Sequence, residues 1–416
     1  MAEYDADELQ APAWLDDQFF ENAVRSFAKD PSIEIVNGCE LRPATKGGDH
    51  YASIMFRTTV RYHSGRHQSQ PEEQTMDLVI KALPTAEGFK RDLTKDSGLF
   101  ETEIKMYSEV LPAMTKMLKD IGEHLEVPRL IYAATEPNAV IVLEDISPHG
   151  WLTGRECIKS FEEALYTVKN IAMFHAASLY LHETNMDLSS FNASNFITTG
   201  PVLAIFSRGF DDLRHGIEKW PGCELYVQKL KKLHETFQER WQRVYAVNSP
   251  SSTSSEGYNV LNHADFQWKN LMHKKDSEGR IVNSMLIDYQ CCHWGSPALD
   301  VLSLIDLIVD KDTKMTRRDE IIYQYYQQFA LVLRKAGFKG KIPSLVELQV
   351  ELLRKGFHEL VQASVESFKY VELTESTFDE FNAGEVGIHS CFENKEFQRV
   401  ICAELESLLH RGLLDD

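Results

Sequence analysis

The sequence predicts an α+β chain organised as two lobes. Residues 1–145 form a small strand-rich part, and residues 146–416 form a larger, mostly helical part. Three observations predict this. Apolar residues alternate at period two from Tyr51 to Tyr62, and short apolar runs follow at Leu78–Leu83, 130–134 and 139–143. From Ser160 onward the apolar spacing turns helical and stays so. A short connection near 144–150 separates the two patterns. A length of 416 residues suits two to three domains or lobes, with ample chain for a core.

Each element has its own signal. Trp14, Leu15, Phe19, Val24 and Phe27 recur at roughly helical spacing within residues 12–28. Lys46-Gly47-Gly48-Asp49-His50 is a turn. In the strand after it, Ala52, Ile54, Phe56, Val60 and Tyr62 share the apolar face. Ser64–Gln74 is a polar loop, and Leu78–Leu83 a buried strand with Lys81 inside it. Residues 98–119 read as a helix, and 130–134 and 139–143 as strands joined at Glu136-Pro137-Asn138. Ser160–Leu181 is a helix that opens with a Ser160/Glu163 capping box. Its buried stripe is Phe161, Leu165, Val168, Ala172, His175 and Leu179. Ser249–Gly257 is a serine-rich loop, and 317–335, 345–367 and 395–410 are further helices.

Composition narrows the class. A net charge of −19 argues against nucleic acid or an anionic membrane as a general partner, although a local basic site for a phosphate ligand is compatible with it. The acidic N-terminus lacks a signal core, no apolar run is long enough for a membrane span, and neither end carries a lipidation pattern. Seven scattered cysteines without C-x-x-C fit reduced thiols in the cytoplasm. Cys291, Cys292 and His293 are contiguous, and neighbours on a strand point to opposite faces, so they chelate zinc poorly. No obligate protein partner is evident.

The chemistry concentrates in His263-Ala264-Asp265-Phe266-Gln267-Trp268-Lys269-Asn270 and Leu286-Ile287-Asp288-Tyr289-Gln290. Asp265 and Asn270 have the D-x-x-x-x-N spacing of a phosphotransferase catalytic loop. Asp265 would orient a substrate hydroxyl and accept its proton. Asn270 and Asp288 would offer oxygen ligands to Mg²⁺, Asp288 from the end of an apolar strand. Upstream, Lys81 would contact the α- and β-phosphates of ATP. Taken alone, it also fits a lysine on an edge face. Glu103 would pair with Lys81, with Glu101 as the rival on the same helix. Gly47 and Gly48 would let backbone N–H groups approach the phosphates, and they equally suit a plain hairpin turn. The backbone from Glu144 to Ile146 is the candidate adenine hinge. His263 fits a hydrogen-bonding brace of the loop and His175 a packed, structural role. Asp300 is expected to cap its helix and brace the catalytic loop.

Taken together, these segments resemble the insect ecdysteroid kinase-like family, which is related to choline kinases and aminoglycoside phosphotransferases. The resemblance is carried by Gly48-Asp49-His50-Tyr51-Ala52-Ser53, Ile80-Lys81-Ala82-Leu83-Pro84, Phe100-x-x-Glu103-x-x-x-Tyr107 and Val142-Leu143-Glu144-Asp145-Ile146. Phe174-His175-Ala176-Ala177-Ser178, the catalytic segment, Asp288-Tyr289-Gln290 and Gly295-Ser296-Pro297-Ala298-x-Asp300 continue it. It implies a protein-kinase-like fold and ATP- and Mg²⁺-dependent phosphorylation of a hydroxyl on a small molecule, with ecdysteroids as the family's named substrates and detoxification as a suggested role. There are departures: Ala264 stands where the family usually has Gly, Gln267 where an aromatic is common, and Tyr289 where Phe is usual. Two alternatives stand beside this reading. One is a choline- or aminoglycoside-like kinase with a cationic substrate. The other is a catalytically silent binding protein on a kinase scaffold.

Overall fold

The computed structural model describes residues 10–36, 38–44, 53–64, 73–84, 91, 94, 97–249, 257–366 and 389–415. The chain mixes strands and helices, as in an α+β fold. The chain divides into two compact units. One comprises Met1–Ala113, Glu126–Leu152 and Ile287–Gln290, and the other Met114–Leu125, Thr153–Leu286 and Cys291–Asp416.

The first unit is built on an antiparallel sheet. Its order is β1 (Glu34–Ile35), β3 (Ile54–His63), β4 (Glu73–Ala82), β6 (Val140–Glu144), β5 (Leu130–Ala134), with β2 (Arg42–Pro43) also paired to β3. Side chains on β3 alternate between faces, so Ile54, Phe56, Val60 and Tyr62 enter one core with Leu78, Ile80, Val140 and Val142. Helix α1 (Asp17–Ala28) covers that face with Phe20 and Val24, and Asp16 caps it by accepting from the Phe19 amide at 2.8 Å. Each such aliphatic or aromatic burial is worth roughly 1.5–3 kcal/mol, so the register is firmly set. That register places Lys81 opposite Met55 on one side and Ile141 on the other, on an inner strand. The expected helix over 98–119 is α2 (Leu99–Lys105), a π-helical turn at Met106–Val110, and α3 (Leu111–Asp120).

After β7 (Trp151–Thr153), the helices of the second unit continue with α4 (Phe161–Thr184). Helices α5 (Ser194–Thr198), α6 (Gly200–Ile217), α7 (Glu224–Glu235) and α8 (Phe237–Tyr245) lead to β8 (Val260–Asn262). β8 pairs with β11 (His293–Gly295), and β9 (Leu271–Lys275) pairs with β10 (Ile281–Leu286). Then come α9 (Ala298–Ser303), α10 (Lys311–Lys335), α11 (Leu345–Arg354), α12 (Phe357–Val365) and α13 (Lys395–His410). Among the described residues, no helix is long and apolar enough to cross a membrane.

Three helix expectations need correction. The helix expected over 345–367 breaks at Lys355–Gly356. Lys355 turns inward to donate to the carbonyls of Arg243 (2.8 Å) and Ala246 (2.9 Å), and a Cβ on Gly356 would lie 2.3 Å from the Leu413 side chain. The helix expected from 317 starts at Lys311, because Asp310 accepts from the Thr313 amide at 2.9 Å. At α4, Ser160 accepts from the Glu163 amide at 3.3 Å, while its hydroxyl donates to Glu162 at 3.2 Å. A complete capping box forms instead at Ser344 and Glu347.

Candidate functional site

Within the first unit, β4 carries Lys81 into a buried cluster. Its Nζ donates to Glu103 Oε2 at 2.5 Å, Asp288 Oδ1 at 2.7 Å and Gln290 Oε1 at 3.1 Å. Phe100 lies beneath the ammonium, with the ring centroid 6.0 Å away. Glu103 comes from α2, and the rival Glu101 is exposed. Burial alone would drive the Lys81 pKa down, but the charges of Asp288 and Glu103 outweigh it and hold the group protonated, above the ordinary lysine value. Two carboxylates share this one cation. Burial, opposed by Lys81 and reinforced by Asp288, pushes Glu103 up to about 7. The Tyr289 amide also donates to Glu103, and the Tyr289 ring packs edge-on against Tyr107 at 5.6 Å. Asp288 holds a left-handed backbone at φ 67, a conformation aspartate tolerates better than most residues.

Within the second unit, the segment from His263 to Asn270 is fixed by hydrogen bonds. Asn270 Nδ2 donates to both the backbone oxygen and Oδ2 of Asp265, each at 2.8 Å. Gln267 Nε2 donates to Asp265 Oδ1 at 2.8 Å, so the residue that departs from the family pattern holds the carboxylate. Ala264 adopts φ 61, the left-handed region for which glycine is best suited. Asp300 enforces it. Its two oxygens accept from the amides of His263 (2.6 Å) and Ala264 (2.9 Å). Asp300 also accepts from His175 Nε2 at 3.0 Å. With that tautomer, Tyr325 Oη donates to His175 Nδ1 at 2.7 Å. Burial raises the Asp300 pKa, but the hydrogen bonds from His175 and the Ala264 amide help bring it below the usual carboxylate range. Asp300 therefore braces the loop. It does not cap α9, where it lies inside the first turn after Pro297.

The remaining expected residues divide. Gly47 and Gly48 lie outside the described residues. Glu144 ends β6, and its amide donates to the Arg129 carbonyl at 2.9 Å, while the Asp145 amide donates to Asp77 at 2.8 Å. The Ile146 carbonyl accepts from His149 at 3.0 Å. Arg57 steadies this segment by donating to Ser147 Oγ at 3.0 Å, and Ser147 in turn donates to Asp145 Oδ1 at 2.6 Å. Three residues were missed by sequence reasoning. Gln290 and Gln267 stand in the segments singled out by sequence, but those segments gave them no role. The third, Gly154, donates to the Leu271 carbonyl at 2.8 Å, and a Cβ there would lie 2.2 Å from the Trp268 carbonyl oxygen. An isolated glycine next to a strand is the signal that marks such a close backbone approach.

Each unit carries side chains of a kind that could serve a metal or a nucleotide. Among the described residues no cluster of three or more His, Cys, Asp or Glu could hold a metal alone. Mg²⁺ is typically held by one or two carboxylates, with phosphate oxygens and water completing the shell. Asp288 offers a carboxylate. Asn270, whose Nδ2 is turned to Asp265, offers its amide oxygen. Lys81 is a buried cation, a kind of group that could meet a polyphosphate.

A family model described as the ecdysteroid kinase-like family matches residues 47–338. Among solved structures, the chain is similar to a choline kinase from Cryptosporidium parvum Iowa II, at 12% identity, covering 95% of this chain and 97% of that chain, with a TM-score of 0.44. It is also similar to a Plasmodium vivax ethanolamine kinase, at 11% identity over 87% of this chain and 84% of that one, TM-score 0.38. An ADP-bound aminoglycoside phosphotransferase matches at 15% identity over 91% and 99% of the two chains, TM-score 0.35. No curated protein matches the chain.

Proposed function

We propose a function from the premise that this chain belongs to the ecdysteroid kinase-like family. It is an ATP- and Mg²⁺-dependent kinase that phosphorylates a hydroxyl of an ecdysteroid or a similar apolar, polyhydroxylated small molecule. The observation that carries this reading is the buried contact of Lys81 with Glu103 and Asp288. A buried lysine held charged between two acids is costly as structure alone, and phosphoryl transfer needs such a preorganised cation.

Mg²⁺–ATP, when bound, supplies the phosphoryl group and neutralises its charge. The chain's own residues do the rest. Lys81, aimed by Glu103, meets the phosphates. Asn270 and Asp288 give oxygen ligands to the metal. Gly47-Gly48 supplies backbone N–H groups, and the Glu144 carbonyl and Ile146 amide read the adenine. Asp265, steadied by Asn270 and Gln267, aligns the acceptor hydroxyl and takes its proton. A rigid apolar acceptor gains affinity from buried area at roughly 25 cal/mol per Å², so only one hydroxyl needs to reach Asp265, within about 3 Å. Binding is then permissive while transfer is position-selective.

The test is turnover of an ecdysteroid against choline at equal concentration with Mg–ATP, read by mass spectrometry of phosphorylated products. The ecdysteroid is expected to be the better substrate, and Asp288→Asn to remove most turnover while circular dichroism stays unchanged. Efficient choline phosphorylation with no polyhydroxylated steroid turned over would favour the cationic-substrate reading. No product from any acceptor would favour the silent binding protein.

A further inference from the structure

The cluster around Lys81 holds one acceptor more than an ion pair with two acids requires. A lysine ammonium has three N–H donors and no acceptor. All three are engaged here, by Glu103 at 2.5 Å, Asp288 at 2.7 Å and Gln290 at 3.1 Å. Lys81, Glu103 and Gln290 are all buried, so water is a poor substitute partner for any of them. Lys81 therefore cannot donate to a phosphate oxygen without giving up one of these partners. The three are not equivalent. Glu103 and Asp288 make charge-assisted bonds, which are roughly twice as strong as neutral ones. The Gln290 bond is the longest, and its acceptor is a neutral amide.

We propose that Gln290 is a placeholder on Lys81, saturating the third N–H in the nucleotide-free protein and exchanged for an anionic oxygen of the incoming nucleotide. This rests on the function proposed above and deepens it. Gln290 becomes a positioning residue that sets nucleotide affinity by stabilising the empty state, while Glu103 and Asp288 keep the ammonium on its axis throughout. A placeholder must be an acceptor good enough to spare a buried N–H and weak enough to yield to a phosphate. A glutamine amide oxygen meets both requirements, whereas a carboxylate there would hold too hard and repel the ligand.

The proposal predicts shifts of opposite sign at one position. Gln290→Leu removes the acceptor, leaves one buried N–H of Lys81 unsatisfied in the empty state, and should tighten nucleotide binding about five- to tenfold. Gln290→Glu should weaken it by about tenfold or more. The measurement is isothermal titration with ADP alone and with Mg–ATP, without any acceptor, on full-length wild type and both variants. Gln290→Asn is a third variant, in case one of the pair does not fold, and its shorter arm should also tighten binding. Thermal melts identify variants that fail to fold. A purely structural role for Gln290 would lower the melting temperature of the variants and move affinity in one direction or not at all, which would overturn the inference while leaving the kinase reading intact. A wild-type protein that binds neither ADP nor Mg–ATP would overturn both.

Discussion

At the scale of single residues, two groups are held in states that cost free energy. Ala264 occupies a left-handed conformation that costs an L-residue about 1–2 kcal/mol, and the two Asp300 hydrogen bonds to the adjoining amides keep it there. Ala264→Gly should therefore stabilise the protein by up to about 1 kcal/mol, the larger unfolded-state entropy of glycine offsetting part of the relief. Ala264→Val should destabilise it by more than that. Chemical denaturation of the two variants checks this, and equal stability for all three would mean that the loop relaxes freely. Glu103 is the second group. Burial raises its pKa to about 7, so the folded state binds that proton more tightly than the unfolded chain does. Its contribution is most favourable below the ordinary glutamate range and is lost as pH rises through about 7. The Glu103→Gln variant lacks this proton and should show a flatter stability profile between pH 5 and pH 8, by a few kcal/mol at most. A profile as steep as that of wild type would remove Glu103 as the titrating group.

At the scale of elements, close backbone approaches and broken helices shape the site. Gly154 follows β7 directly, and its backbone runs against the turn that carries Asn270, close enough that a Cβ would meet the Trp268 carbonyl oxygen at 2.2 Å. Because the obstructing atom is backbone, the turn itself must move. Gly154→Ala should cost roughly 1–3 kcal/mol of stability and lower turnover by displacing Asn270 from Asp265. A variant that melts and turns over like wild type would show that the turn yields without consequence. This contact also marks the limit of sequence reading. The pairing of Asp265 with Asn270 was legible because residues five apart in one tight turn can meet, and Asn270 Nδ2 donates to Asp265 Oδ2 at 2.8 Å. Strand β3 was legible because its period-two pattern survives in burial. Gly154, Gln267 and Gln290 were not, because their importance lies in which backbone or side chain they meet. The break at Lys355–Gly356 was hidden for a related reason. A lysine at a helical position predicts continuation, and only the carbonyls of Arg243 and Ala246 explain why it turns inward.

At the scale of the whole molecule, the chain beyond the family match is integral to the larger unit. The match ends at residue 338, yet α13 buries Phe397, Val400, Ile401, Leu405 and Leu408. It is also tied in by charge. Glu404 meets Lys314 at 2.6 Å and Lys311 at 2.9 Å, Lys314 meets Asp306 at 2.5 Å, and Arg411 meets Glu359 at 2.7 Å. Burial opposes ionisation of Glu404, but Lys314 and Lys311 overcome it and lower its pKa to about 2. Its stabilisation is thus present above the ordinary glutamate range and is lost as pH falls toward about 2. Removing one partner of a buried pair typically costs about 3–5 kcal/mol, because the other charge is left uncompensated. Deleting residues 395–416 would strip Glu404 from two lysines and expose an apolar face in one step. The shortened chain should lose its cooperative thermal transition or fail to stay soluble, while the milder Glu404→Gln should still fold, with a lower midpoint and a weaker dependence on acid. A chain cut after residue 394 that melts at the wild-type temperature would show that α13 is an appendage, and that the second unit draws its stability from the family core alone.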